Sequence, residues 1–517
     1  MRRPNFLVIV TDQHRADHLG CYGHPVLRTP HIDALAARGT RFERFHAASP
    51  VCMPNRASLL TGRYPSAHGL RVNGAALSVR ATTFVEQLRR AGYRTASIGK
   101  SHVQPMTDRP AEGGAAAPAV DAWKDDGGDY TQEQPGHYAG LERHPLRTPY
   151  YGYDEVDLVT FHGDQAGGHY LQWLRRHLPE ADRLRDRSSQ LPHGYVCPQA
   201  HRTAIPEAFY PTSYIRDRAV DFLRGTRGQE QPFFAFVSFP DPHHPFTPPG
   251  RYWGLYDPAD FVLRLPYEAH HNPPPPIAWC RERFLDGSRQ RQGPHDAFFA
   301  TEREIREAMA LSAGMIAMID DAVGDIVRAL DDSGQREDTV IVFTSDHGDY
   351  LGDFNLMLKG ALASRGITRV PFIWCDPRQG EPAVSQALAS TIDIAPSVLA
   401  RAAVEAYGGL QGRSLLDCLD GRGRGWDALL IEYQDSRTRQ GFQRPACVRS
   451  LLTERHRLSV YQGESWGELY DHHQDPGETH NLWEAPGHRD TQSQLMQQLL
   501  RKMLAAVDTS PPARYAA

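Results

Sequence analysis

Four strand-like runs in this chain each stop on side chains that carry charge or bind metal. Residues 6–10, Phe-Leu-Val-Ile-Val, run into Asp12-Gln13, and residues 93–98 into Gly99-Lys100-Ser101-His102. Residues 232–239 run into Pro240-Asp-Pro-His243-His244, and the β-branched run 339–345 into Asp346-His347-Gly348. Three of the runs are apolar on consecutive residues, so both faces must be covered, which is the condition of a parallel sheet between helix layers. In open sheets of that kind, sites collect beyond the carboxyl ends of the strands, where these polar residues fall. The stretch 301–330 spaces Ile305, Met309, Met315, Ile316, Ile319, Val323, Ile326 and Leu330 as one helical face. A helix followed by the 339–345 strand is half of a parallel βαβ unit.

A length of 517 residues suits one large α/β domain and a smaller companion. The expected fold is a mostly parallel central sheet flanked by helices over 1–411. Residues 412–517 then carry short strands at 428–433, 446–452 and 457–461 with no helices between them, which predicts a small antiparallel sheet, followed by a terminal helix over 491–505. Between 104 and 230 the pattern dissolves into glycine, proline, histidine and charge, with helical pieces at 170–178 and 213–223. So long an insert is expected to shape substrate choice and subunit contacts in a homo-oligomer. A net charge of −5 and a pI near 6.6 argue against nucleic acid or an anionic membrane as partner. Seven scattered cysteines are unlike a disulfide framework and fit a reducing compartment. With no apolar run of spanning length, the expected location is cytoplasmic.

Val51-Cys-Met-Pro-Asn-Arg-Ala-Ser-Leu-Leu-Thr-Gly-Arg63 reads as a helix turn closed by a glycine cap. Cys52 then lies at a helix N-terminus, where backbone N–H groups favour an anion, and Arg56 adds a planar donor fork. An oxyanion substrate suits that setting.

Cys52-Met-Pro-Asn-Arg56 resembles the Cys-x-Pro-x-Arg signature of the sulfatase family, in the alkaline phosphatase superfamily, and Ser58-Leu-Leu-Thr-Gly-Arg63 resembles that family's continuation. The resemblance spans nearly the whole chain and is weakest at 104–230. It implies an alkaline phosphatase-like fold and conversion of Cys52 to formylglycine by a maturation enzyme. Asp12-Gln13 resembles the strand end that supplies two metal ligands, with glutamine where many members have a second aspartate. Asp346-His347 resembles Thr-Ser-Asp-His/Asn-Gly, whose two side chains bind the same ion. With residue 52 these form a site for one divalent metal; an imidazole and only two carboxylates favour manganese or calcium over magnesium.

Gly99-Lys100-Ser101-His102 looks like the family's Gly-Lys-Trp-His, and alternation along an extended segment puts Lys100 and His102 on one side. Pro-His-x-Pro matches with His243 as the substrate histidine, although the adjacent His244 leaves that assignment open by one residue. Lys359 resembles the active-site lysine. Asn73 sits at the spacing of an asparagine that contacts the substrate anion in phosphonate monoester hydrolases, and equally suits a turn-forming Asn-Gly.

In the mechanism this implies, a hydroxyl of the formylglycine hydrate attacks sulfur or phosphorus and expels an alcohol that Lys359 or His243 protonates. Arg56 and Lys100 supply positive charge where negative charge grows. Loss of a proton from the second hydroxyl, with His102 as base, frees the anion and restores the aldehyde. The expected substrate is a small-molecule sulfate or phosphonate monoester. A phosphodiesterase or phosphatase of the same superfamily is the alternative. An inactive binding protein on this fold should lack several strand-end polar residues, and none is missing.

Overall fold

The computed structural model describes residues 3–109, 122, 124, 126–291, 293 and 295–513. At its centre is a nine-stranded sheet. Along the chain its strands are β1 (Asn5–Thr11), β2 (Thr40–Phe42), β3 (Arg94–Lys100), β4 (Glu155–Thr160), β5 (Gly167–Gly168), β6 (Phe233–Ser238), β7 (Thr339–Ser345), β8 (Phe372–Cys375) and β9 (Ala383–Ser385). In space they run β9-β2-β8-β7-β1-β6-β3-β4-β5. The five strands from β7 to β4 are mutually parallel. β8 is antiparallel to β7, and β5 to β4.

Alternation along the central strands feeds two separate cores. Phe6, Val8, Phe234, Phe236, Val340 and Val342 enter one, and Leu7, Ile9, Phe233, Val237, Ile341 and Phe343 the other. Each such side chain contributes about 1.5–3 kcal/mol by leaving water, so no strand can slip by one residue without exchanging the two cores. The long helix Glu302–Asp332 starts on a capping box between Thr301 and Glu304. Its apolar residues do not form the single face that their spacing predicts. Ile305, Leu311 and Met315 pack in a cluster with Phe246 and Trp253, while Ile316, Ile319, Val323 and Ile326 cover the sheet.

The region 104–230 is less of an insert than its composition suggests. Helices His169–His177 and Pro211–Gly225 fall where the helical pieces are expected, but β4 and β5 are strands of the main sheet. In Glu155-Val-Asp-Leu-Val-Thr160 polar and apolar residues alternate over only the first four positions, too few to stand out from flanking loop composition. Residues 110–121, 123 and 125 lie outside the described residues.

The C-terminal part holds a four-stranded antiparallel sheet. Its strands are β10 (Ala428–Gln434), β11 (Cys447–Thr453), β12 (His456–Tyr461) and β13 (Gly467–Asp471), the last of which sequence reading does not identify as a strand. Helix Arg489–Ala505 lays Leu495 and Leu499 on Leu430, Leu451, Leu458 and Leu469. Backbone bonding ties this sheet to the large domain, where Glu432 N donates to Ala48 O at 2.9 Å. Among the described residues no helix is long and apolar enough to cross a membrane.

Candidate active site

β1 and β7 pair in register from Asn5↔Thr339 to Thr11↔Ser345, so the chain leaves both strands at the same height. Asp346 N then donates to Thr11 O at 3.1 Å, and Asp12 and Asp346 enter one buried space. Helix Cys52–Thr61 begins there; all ten of its residues are buried and Gly62 closes it at φ 59°. One donor atom each of Asp12, Cys52, Asp346 and His347 lies within 4.8 Å of the others. Two carboxylates, an imidazole and the residue-52 side chain fit a divalent cation. His347 Nδ1 faces Gly348 O at 2.8 Å, which leaves Nε2, 3.0 Å from Cys52 Sγ, free to ligate.

Arg56 sits at the back of this space rather than at its mouth. Its guanidinium is 2 % exposed and donates from Nε to Asp346 at 2.7 Å, from Nη2 to Asp12 at 3.3 Å, and from Nη1 to Lys100 O and Ser238 Oγ, both at 2.9 Å. Those bonds engage its donors with both carboxylates and two strand ends, whereas the sequence places its guanidinium against a substrate anion.

Gln13, at φ 63°, is expected from the sequence as a further metal ligand, but both ends of its amide are engaged by protein side chains. Its Nε2 donates to Asp349 at 2.5 Å and its Oε1 accepts from Lys359 Nζ at 2.6 Å. Lys359 is also 3.4 Å from Cys52 Sγ and 2.7 Å from His243 Nε2. Of the two adjacent histidines, His243 therefore reaches Lys359, whereas His244 contacts Gln13 at 3.1 Å and His295 at 3.0 Å. Lys100 bonds Asp12 and, at 2.5 Å, His162.

His102, half-buried and at φ 58°, has no bond to residue 52. Its loop is held by Glu133, whose carboxylate accepts from the backbone N–H groups of His102, Val103 and Gln104 at 2.9–3.1 Å. Asn73 caps the Cys52 helix by accepting from Met53 N at 3.1 Å, an N-terminal capping bond that Val51 cannot supply.

The electrostatics follow from these contacts. Burial and Asp12 raise the Cys52 thiol, but Lys359, His347 and Lys100 outweigh them and hold it below the ordinary value. Burial likewise opposes ionisation of Asp12, and Lys100, His243, His162 and Arg56 together hold it well below the carboxylate range.

Two residues of the site escape sequence reasoning. His162 follows β4 and stacks on His243 with centroids 3.5 Å apart and planes 7° apart. Its only sequence signal is a polar residue after a short alternating run. Asp349, fully enclosed and pushed up to about 6 by burial, stands three residues after Asp346 and anchors Gln13.

A donor set that could hold an ion, a side chain at a helix N-terminus and two lysines, all beyond the carboxyl ends of a parallel sheet, define an alkaline phosphatase-like α/β protein. The chain matches the Sulfatase family model over residues 4–404, and over 361–505 the model of the N-sulphoglucosamine sulphohydrolase C-terminal region; it belongs to the sulfatase family. It is 31 % identical over 510 residues to the uncharacterized sulfatase YidJ of Escherichia coli, covering 97 % of this chain and 88 % of that one. It is 29 % identical over 446 residues to the multifunctional alkaline phosphatase superfamily protein PehA of Trinickia caryophylli, covering 82 % and 79 %. Among solved structures it is similar to the phosphonate monoester hydrolase of Agrobacterium radiobacter, with a TM-score of 0.77 and 25 % identity over 98 % of this chain and 97 % of the other.

Proposed function

We propose that this chain is a metal-dependent hydrolase of sulfate or phosphonate monoesters whose nucleophile derives from Cys52 by conversion to formylglycine. The observation that carries this reading is the placement of Cys52. It is the first residue of a buried helix, with three ion-binding side chains and the Lys359 ammonium, 3.4 Å away, around its sulfur. In the mature side chain, an oxygen would take the place of Sγ.

Asp12, Asp346, His347 and residue 52 would hold one divalent ion, with manganese or calcium favoured. When bound, that ion polarises a non-bridging ester oxygen. The aldehyde hydrate of formylglycine would contribute an oxygen nucleophile that can later leave again as the carbonyl. The remaining steps belong to the chain's own residues. Lys359 and His243, 2.7 Å apart, stand within hydrogen-bond distance beside the nucleophile and are placed to deliver a proton to the departing alkoxide. Lys100 with His162, and the helix N-terminus at residue 52, set positive potential where the non-bridging oxygens gain charge. Arg56 keeps both carboxylates in position, and enclosure of the whole set keeps bulk water from competing.

The likeness to the phosphonate monoester hydrolase of Agrobacterium radiobacter supports the phosphonate side of this reading, and Gln13 supports it too, since an amide removes one negative charge from the ion's surroundings. We infer that aryl sulfates and aryl phosphonate monoesters both turn over and that phosphate monoesters are the poorest. Measuring kcat/KM for one aryl leaving group on each ester type tests this, and a clear preference for the phosphate monoester rejects it. Peptide mass spectrometry of protein made beside a formylglycine-generating enzyme tests the nucleophile: unmodified Cys52 in fully active protein would overturn it.

A further inference from the structure

Where the outer strands of the large sheet meet the C-terminal sheet lies a cavity of about 380 Å3 that the proposed reaction does not use. Its wall carries five arginines, at 41, 44, 365, 369 and 457, against three glutamates, at 43, 454 and 478. Five minus three leaves a formal excess of +2 on the wall, of which Glu468 behind it offsets one by accepting from Arg457 at 3.1 Å, in a chain whose net charge is −5.

The carboxylates are shared unevenly. Glu43 accepts Arg41 and Arg369, each at 2.7 Å, and Glu478 accepts Arg457 at 2.7 Å and His472 at 2.8 Å. Glu454, 78 % exposed, reaches Arg44 only at 3.6 Å. Among the described residues the Arg365 guanidinium has no carboxylate at ion-pair distance. On the same wall His46 is 6 % exposed, and its Nδ1 is buried without a hydrogen-bond partner. A loosely neutralised guanidinium pair invites a planar or tetrahedral anion. Val384, Leu388 and Leu452 make an apolar side to the same cavity.

We propose that this cavity is a second binding site, apart from the active site, for a tetrahedral oxyanion of the sulfate or phosphonate class. Arg365 and Arg44 take the oxygens, and an organic substituent lies on the leucine side. The volume is within the range of small-ligand sites.

The test is calorimetric titration of the full chain with inorganic sulfate and, separately, with phenylphosphonate, which has no ester bond to cleave. Lys359→Ala is expected to retain the cavity binding. Arg365→Glu, a change at an exposed side chain, is expected to weaken it about tenfold or more while leaving kcat/KM on an aryl ester unchanged. Arg44→Ala combined with Arg365→Ala should do the same. Tighter binding of phenylphosphonate than of sulfate supports an organic oxyanion as occupant, and equal binding supports the free ion. Unaltered affinity and stoichiometry in both arginine variants overturn the site, as does the absence of any binding beyond that lost in Lys359→Ala. Because the readout is equilibrium binding, its failure leaves the hydrolase reading standing.

Discussion

Arg56 touches both carboxylates of the ion site through separate nitrogens, and no single-point cation can do that. A lysine there would reach one carboxylate and leave the other to rotate. Arg56→Lys is therefore expected to weaken metal affinity about 10–100-fold with little loss of fold, measured by metal analysis and competition with a chelator; unchanged affinity would show that the carboxylates orient themselves. Asp346→Ala removes a ligand outright and should leave no stoichiometric metal. His162 acts on two partners, as the 2.5 Å neighbour of Lys100 Nζ and the ring stacked on His243. His162→Ala is expected to lower kcat about 10–100-fold through misplacement of both, with smaller effect on KM, and His162→Gln, which keeps a hydrogen-bonding end, should recover part of it.

Strand β3 sets where Lys100 stands, and its last step before that residue depends on a glycine paired with Ser238 of β6. Gly99, at φ 110°, would place a Cβ 2.0 Å from the Ser238 carbonyl oxygen, so only glycine allows the two strands to meet as they do. Gly99→Ala combines that overlap with a left-handed conformation and should cost about 2–4 kcal/mol, read as a lower urea midpoint. Since Lys100 is the next residue, turnover should fall further than the lost stability explains. Full activity in a destabilised variant would uncouple strand spacing from Lys100. Glu133 acts similarly on the adjoining loop, its three backbone bonds fixing the reversal that carries His102.

Over the whole molecule, several histidines are buried in neutral form away from the ion site. Burial is the leading cause in each case, pushing His68 down to about 3 and His169 and His270 to about 4. His68 is satisfied as a neutral ring, between Ser58 Oγ at 3.0 Å and Leu70 N at 3.2 Å. A depressed histidine pKa means that below about pH 6.5 the unfolded chain takes up protons the folded chain refuses. Stability from these groups is thus complete above pH 6.5 and is lost as pH falls toward 4, each adding a slope of about 1.4 kcal/mol per pH unit. Urea midpoints should drop steadily between pH 6.5 and 4, and His68→Gln should flatten the decline by one proton's worth. A flat profile across that window would contradict the burial of these rings.

What the sequence determined by itself was the set of ingredients. Consecutive apolar residues required strands covered on both faces, and Asp12, Lys100, His243 and Asp346 at their ends required one shared location, because a parallel sheet puts all its carboxyl ends on one side. Local pattern also specified the helix that begins at Cys52 and ends at Gly62. Which donor meets which acceptor was settled by the way distant segments pack. From its spacing Arg56 reads as a donor fork for the substrate anion, and the fold buries it between two carboxylates. His243 and His244 are equivalent in a proline-rich sequence; the loop's path turns the first toward Lys359 and the second toward Gln13. His162 and Asp349 have no periodicity to betray them, since their partners are 62 and 336 residues away. Contacts at such separations are set by strand order and register, which no local pattern encodes.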